Sequence, residues 1–454
     1  MDNRRRLFVA SCVALVANAM AFSIRTDIMG DYARSFEMTF LMVGAAVSLG
    51  AIVGIAVQFL GGALLDVIGI GGALWLAVGA HVAGLSTLIF AVGFKSLAAG
   101  WLFLGVASNL IEAAINPLAA TMYPEKKTHV LNVLHAWWPG GLILGGLVAA
   151  GFSECLILCN APKSLVDAAW QIKTAVVFVP VAIYAFLLIG QKFPKTERVQ
   201  AGVSAGTMFK EALRPLFLFL VFCMFLTASI ELGPNAWVGV FIENMVGIRG
   251  VLLLVYTSGL MFVLRFFAGP LARVLSPTGI LLASSVLSGL GLLWLGYATT
   301  GITVFLASTV FGVGVTYFWP TMLGVTSERF PKGGAFLMGI IGAAGGLFLS
   351  YVTIPGMGKL HDHYTLQNLP PAVAAKVLVK GRVSEEREAA LPDDEKASVK
   401  DARRVAACTT FRIVAALAVV LVILFGVMLL YDRARGGYRQ EVLVTGKGSG
   451  GMPA

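Results

Sequence analysis

The sequence predicts an all-α membrane protein: twelve transmembrane helices in two six-helix halves that repeat each other. Three observations predict it. Of the 454 residues 58% are hydrophobic and only 13% charged, with a mean hydropathy of +0.84, whereas soluble domains carry about a quarter charged residues. Apolar runs of about 20 residues, the length that crosses a bilayer, recur about twelve times. Glycines and prolines in these runs return at a fixed spacing in the second half of the chain.

In order, the runs fall near 7–29, 40–65, 70–93, 97–121, 132–151, 171–190, 213–241, 250–271, 278–299, 302–325, 335–356 and 410–431. The first is too long for a signal peptide and lacks a cleavage-site pattern, so it is expected to be retained. Linkers near 30–39, 66–69 and 94–96 are too short for domains, which makes the first four helices one antiparallel group. The longer polar linker that follows the sixth run divides the chain. The expected units are a first half over 1–190, a linker over 191–212, a second half over 213–431 and a tail over 432–454.

A formal charge of +10 and a pI near 9.4 invite a nucleic-acid reading. That reading fails because the basic residues sit in short loops between apolar runs, where they set orientation. With the N-terminus inside, the inner segments hold sixteen Lys and Arg residues, among them Arg4, Arg5, Arg6, Lys126, Lys127, Lys195, Arg198, Arg329, Lys332 and Arg433. The outer short loops hold only Arg34, Lys95, Lys163, Lys173 and Arg249. Both termini are therefore expected on the cytoplasmic side, of a bacterial inner membrane, with 357–409 as a partly helical, solvated excursion on the other side. The five cysteines are scattered. Unpaired thiols are the expectation, although Cys155 and Cys159 in one loop, or Cys408, leave a disulfide open.

The internal repeat is the strongest structural signal. Gly62 and Gly269 lie 207 residues apart, as do Gly72 and Gly279, Gly84 and Gly291, Gly105 and Gly312, and Pro124 and Pro331. Ser23-Ile24-Arg25 matches Ser229-Ile230-Glu231 at 206. Two halves in the same orientation place a substrate site between them near the membrane midplane. Under the same spacing Glu112 corresponds to Trp319, which sets the two across a central cavity.

Five ionisable residues fall inside the apolar runs: Arg25, Asp27, Glu112, Glu231 and Arg265. A carboxylate in hydrocarbon costs several kcal/mol, so each is a functional candidate by default. Glu112 is too deep to reach water, and Asn109, Glu112 and Asn116 are spaced to share one helix face. Asp27 and Arg25 lie near a helix end, where reaching out to the interface fits as well as a buried role. Glu231 precedes Gly233-Pro234, where the helix is expected to break, and Arg25 or Arg265 could neutralise it. Trp137, Trp138, Trp237 and Trp319 offer flat faces to a sugar, and the interfacial aromatic belt is the alternative for Trp138. His135 could titrate near neutral pH or simply sit near a loop. His81 reads as a hydrogen-bonded packing residue.

Gly62-Ala-Leu-Leu-Asp66-Val-Ile-Gly69 resembles the signature loop between helices two and three of the major facilitator superfamily, without the basic residues usual after the Asp. Within that superfamily, Glu112-Ala-Ala-Ile-Asn116-Pro117 followed by Leu131-Asn132 resembles the fucose–proton symporter-like branch. Thr26-Asp27-Ile28 and Phe318-Trp319-Pro320-Thr321 are similar to its motifs in helices one and ten. The resemblance implies proton-driven uptake of a monosaccharide, with Asp27 and Glu112 as proton-coupling groups. His135 stands where the branch carries an amide, so the substrate itself is not carried over.

The expected function is therefore alternating-access transport, a proton-coupled uptake of a sugar or polyol by a monomer. Asn109, Asn116, His135, Trp137, Glu231, Asn235 and Trp319 are expected to line the substrate path, and Asp66, Arg25 and Arg265 to gate or support it. An exporter of hydrophobic compounds and a non-transporting nutrient sensor are the alternatives. No nucleophile–base pair, metal cluster or phosphate loop suggests an enzyme, a metal or a cofactor.

Overall fold

The computed structural model describes residues 2–246, 250–379 and 382–443. Arg249 and residues 444–454 lie outside that range. Each of the twelve apolar runs lies on helix: α1 Asn3–Ser35, α2 Phe40–Ile89, α3 Phe94–Met122, α4 Lys127–Leu158, α5 Ala169–Val176, α6 Phe178–Leu188, α7 Pro215–Val246, α8 Gly250–Arg265, α9 Ala268–Leu295, α10 Gly301–Val315, α11 Phe318–Arg329, α12 Gly334–Phe348, α13 Ile354–Asn368 and α14 Asp393–Ala434. Among the described residues ten stretches are long and apolar enough to cross a membrane. One of them, α2, is 50 residues long, or about 75 Å, more than twice the hydrocarbon thickness.

The chain reverses inside α2, at Gly69, whose φ of 75° is a left-handed value open to glycine. Before it, Gly50 packs on Trp101, Gly54 on Asn109 and Gly61 on Ala113, so this arm runs parallel to α3. Beyond it, Gly84 meets Leu104 and Gly100 meets Leu88, so the second arm runs antiparallel to α3. The same construction recurs 207 residues later. Ser276, with φ 63°, breaks α9; Tyr256 reaches Thr309 while Arg265 reaches Thr316, a parallel pair. Gly291 then meets Phe311 and Gly314 meets Ser288, an antiparallel pair. A Cβ on any of these glycines would collide with the facing helix, which is how small residues let membrane helices approach.

Both termini lie at one end of the bundle. Asn3 exchanges hydrogen bonds with the backbone of Lys192, and Gln440 donates to the carbonyl of Pro124 at 2.5 Å. Among the described residues, every hydrogen bond between 1–190 and 213–443 lies between this terminal end and the level of His135 and Arg265.

Two local expectations are corrected. Helix α7 runs through Gly233-Pro234 without a break. There the Asn235 amide donates back to the Glu231 carbonyl at 2.7 Å. Lys173 is not in a loop but buried in α5, where it pairs with Asp27 at 2.5 Å and bonds Ser153 at 2.7 Å. Over 357–409, α13 extends the eleventh run to Asn368, and α14 carries the last run back to Asp393. Between them Leu369, Val373, Val377, Leu391, Val399 and Ala402 form a small separate core. All five cysteines are free thiols, with Cys155 and Cys159 sulfurs 4.0 Å apart.

Candidate substrate and proton site

Proline sets the local chemistry of the site. A proline inside a helix has no N–H for the carbonyl four residues before it, so that carbonyl needs another donor. Pro139 in α4 frees His135 O, and Pro320 in α11 frees Thr316 O. Arg265, buried at the end of α8, takes both: Nη1 donates to His135 O at 2.7 Å and Nε to Thr316 O at 2.7 Å. Its Nη2 pairs with Glu231 Oε1 at 3.0 Å, both side chains being 3% exposed.

Glu231 is neutralised twice. Its second oxygen accepts the backbone N–H of Trp319 at 3.1 Å, one of the unpaired donors at the N-terminus of α11. Glu231 is thus held at both oxygens, by a guanidinium on one and a helix terminus on the other.

Glu112 differs. Its Oε2 accepts from Asn116 Nδ2 at 3.1 Å, and that nitrogen also donates to the Glu112 carbonyl at 2.7 Å. Asn116 Oδ1 meets His135 Nε2 at 2.9 Å; an amide oxygen only accepts, so Nε2 carries the proton. Among the described residues Glu112 has no ion-pair partner. The result is one polar chain across the bundle, Glu112–Asn116–His135–Arg265–Glu231–Trp319, with its single unneutralised carboxylate at the 1–190 end.

The structure joins six of the sequence-predicted residues in this chain. Asn235 stands behind Glu231 through its carbonyl. Trp137 packs edge-on against Phe262 of α8 at 5.5 Å, on the seam between the two groups of helices. Trp319 is half-buried, and a Cβ on Gly345 would lie 3.0 Å from its ring. Three residues lie apart. Asn109 donates back to Gly105 O at 2.9 Å and faces Gly54 of α2. Asp27 pairs with Lys173, and Arg25 stands over the rings of Phe22 and Trp101. His81, buried, bonds Tyr184 at 2.9 Å, in keeping with packing.

Sequence reading missed the closure of the terminal end. Asp66 lacks the usual basic neighbours, but the linker supplies them: Thr196 donates at 2.9 Å, and Arg198 forms a salt bridge. Lys127, fully buried, pairs with Glu197 at 2.6 Å and donates to Ser327 O. Glu328 caps the start of α4, accepting from Thr128 N at 2.9 Å and Thr128 Oγ1 at 2.8 Å. Its other oxygen takes the Tyr438 hydroxyl at 2.5 Å. Burial and the Glu328 charge hold that phenol well above its ordinary pKa, so it stays a donor. The only signal in the sequence was a cluster of charges at these loops, which orientation alone had explained.

A bundle that reverses at matched positions and holds a half-neutralised polar chain at its centre defines a multi-pass membrane protein of the transporter kind. The chain belongs to the Major Facilitator Superfamily, whose profile matches residues 7–353. No curated protein matches the sequence. Among solved structures it is similar to the E. coli fucose:proton symporter FucP, at 15% identity over 91% of this chain and 98% of that one, with a TM-score of 0.64. It is also similar to the proton:xylose symporter XylE, at 12% identity over 92% and 94% with a TM-score of 0.68. The nucleoside transporter NupG matches at 16% identity over 93% and 99%, with a TM-score of 0.56. At these identities the likeness establishes the fold.

Proposed function

We propose that the protein couples inward proton movement to uptake of a neutral, hydroxyl-rich solute, a sugar or polyol, by alternating access. In this reading 1–190 and 213–431 move as two units joined by 191–212. One observation carries it: among the described residues Glu112 is an intramembrane carboxylate with a single amide partner and no cation. Two neighbours of the same fold, the fucose and xylose symporters, are named for this class of transport.

In its charged form Glu112 opposes closure of the carrier once solute has displaced the water around it, because desolvating a lone carboxylate is costly. A proton removes that charge. The protonated acid, Asn116 and the His135 ring then offer donors and acceptors to solute hydroxyls, and the Trp319 indole offers a face for the C–H side of a sugar ring. Glu231 and Arg265 hold the helices in place while Glu112 titrates. With the termini cytoplasmic, closure at the terminal end corresponds to the outward-facing state. A proton moving inward through about 100 mV releases about 2.3 kcal/mol, enough to drive accumulation.

The test is uptake into proteoliposomes carrying an imposed inward proton gradient, across a panel of monosaccharides, polyols and nucleosides. Accumulation of one of them, abolished by a protonophore and accompanied by lumenal acidification, is expected. Solute flux that ignores the proton gradient would remove the coupling, and efflux of lipophilic cations instead would favour an exporter.

A further inference from the structure

Beyond α14 the chain stays on the bundle. Gly436 and Gly437, at φ 85° and 102°, take left-handed values that favour glycine, and the Gly437 N–H closes the helix on Asp432 O at 2.9 Å. Asp432 anchors this turn: it pairs with Arg329 at 2.5 Å and accepts from Thr278 at 2.8 Å. The turn sends the following residues back across the terminal end, where three of them are held. The Tyr438 ring lies against the Arg329 guanidinium, 4.7 Å from its centre, and its hydroxyl donates to Glu328 Oε2. The Glu441 N–H donates to Glu328 O at 2.8 Å, and its carboxylate lies 3.8 Å from Arg214. Gln440 crosses to the first group of helices, donating to Pro124 O.

Residues 436–443 have no helix or strand of their own. Such a segment stays loose in water unless its contacts offset the entropy lost on ordering it. Here the contacts converge on Glu328, a residue that closes this end. Glu328 Oε1 holds Thr128 of the first group, and Tyr438 on Oε2 fixes the carboxylate in the orientation this requires. Hydrogen bonds to an ionised acceptor are the strong ones. Opening the terminal end must part Thr128 from Glu328 and Pro124 from Gln440. The contacts of Asp432, Tyr438 and Glu441 lie within the second group and survive that motion. The segment is therefore built on one half and takes hold of the other.

We propose that residues 436–443 form a strap that restrains opening of the terminal end, with Gln440 reaching across and Tyr438 positioning Glu328. The carrier thus holds its own brake: the strap must release Pro124 before the two groups part on that side. Its hold on the first group is one neutral hydrogen bond, weak enough to break in each cycle. This inference rests on the alternating-access reading, but on neither the solute nor the proton.

The experiment is a spin-label distance measurement between Lys126 and Lys332, exposed positions at the terminal end of the two groups, in the full-length chain with its five native cysteines replaced. With the strap intact the short, closed distance should dominate. Gln440→Ala should raise the ratio of open to closed populations about 5-fold, as for one lost neutral hydrogen bond. Tyr438→Phe should raise it at least ~10-fold, because it frees a charged carboxylate together with the segment that carries Gln440. Gln440→Lys, which keeps a donor at that reach, should restore closure, a rescue that a packing role would not give. Asp66→Asn is the reference, since it weakens a closing contact that the strap does not touch. Opening in Asp66→Asn but in neither strap variant would overturn the strap and leave alternating access standing. Opening in none of them would remove both. Opening in Gln440→Ala that Gln440→Lys fails to reverse would overturn the crossing role of Gln440.

Discussion

Glu112 and Glu231 are carboxylates deep within apolar helices of this protein, and their surroundings differ in kind. Glu231, in the second group of helices, has a guanidinium on one oxygen and the N-terminus of α11 on the other. Glu112, in the first, has one amide. Removing one partner of a buried ion pair costs about 3–5 kcal/mol, so Glu231 is tied to the geometry of the helices around it. A carboxylate with one weak partner can change charge without dismantling the bundle. In the proposed coupling the proton goes to the less supported residue, and the better paired one supports the site.

The comparison is broken most completely by Glu112→Gln. This variant should lose uphill accumulation in proteoliposomes entirely yet keep solute exchange, since a neutral amide imitates the protonated acid. Retained accumulation would move the proton site elsewhere, and Asp27, already paired with Lys173, would be a poor substitute.

Next in size is Arg265→Met, which leaves Glu231 charged and buried and strips the donor from two proline-freed carbonyls. Thermal or denaturant unfolding should show a loss of about 3–5 kcal/mol. Adding Glu231→Gln should recover part of it. No recovery would mean that the carbonyl contacts, rather than the ion pair, carry the stability.

Smaller effects sharpen the picture. Trp319→Ala should weaken solute binding by roughly 1–3 kcal/mol in a calorimetric titration, with Trp319→Phe intermediate. If the Ala variant binds normally but melts far earlier, the indole is a packing group on Gly345. Asp66→Asn, which weakens the linker contact to Arg198, should shift the balance away from closure of the terminal end by about 1–2 kcal/mol. Faster modification of a cysteine introduced at Thr121 would report it, and unchanged accessibility would show that Glu328 and Tyr438 close that end alone.

Much of the architecture was legible because membrane helices are written as long apolar runs with glycines where they touch. The spacing of 207 picked out residues that later proved to make matching contacts, as with Gly84 on Leu104 and Gly291 on Phe311. Glu112, Asn116, Glu231 and Arg265 stood out because charge in hydrocarbon is rare. Pro139 and Pro320 could have pointed to Arg265 as well, since each proline announces a carbonyl in need of a donor. The expectation of a break at Gly233-Pro234 failed because a membrane helix tolerates a proline when neighbouring helices and small local adjustments re-satisfy the freed backbone.

By itself, then, the sequence determined the class, the helical runs, the repeat and the short set of intramembrane polar residues. Those features follow from what a bilayer forbids, and that constraint acts on each segment alone. Which polar residue meets which was decided only by the tertiary structure. Arg265 could have joined Arg25's neighbours or Glu112 as readily as Glu231, and Asp66 found its arginine 132 residues away in the linker. Pairing depends on the distance and direction between helices, and a run of apolar residues carries no information about either.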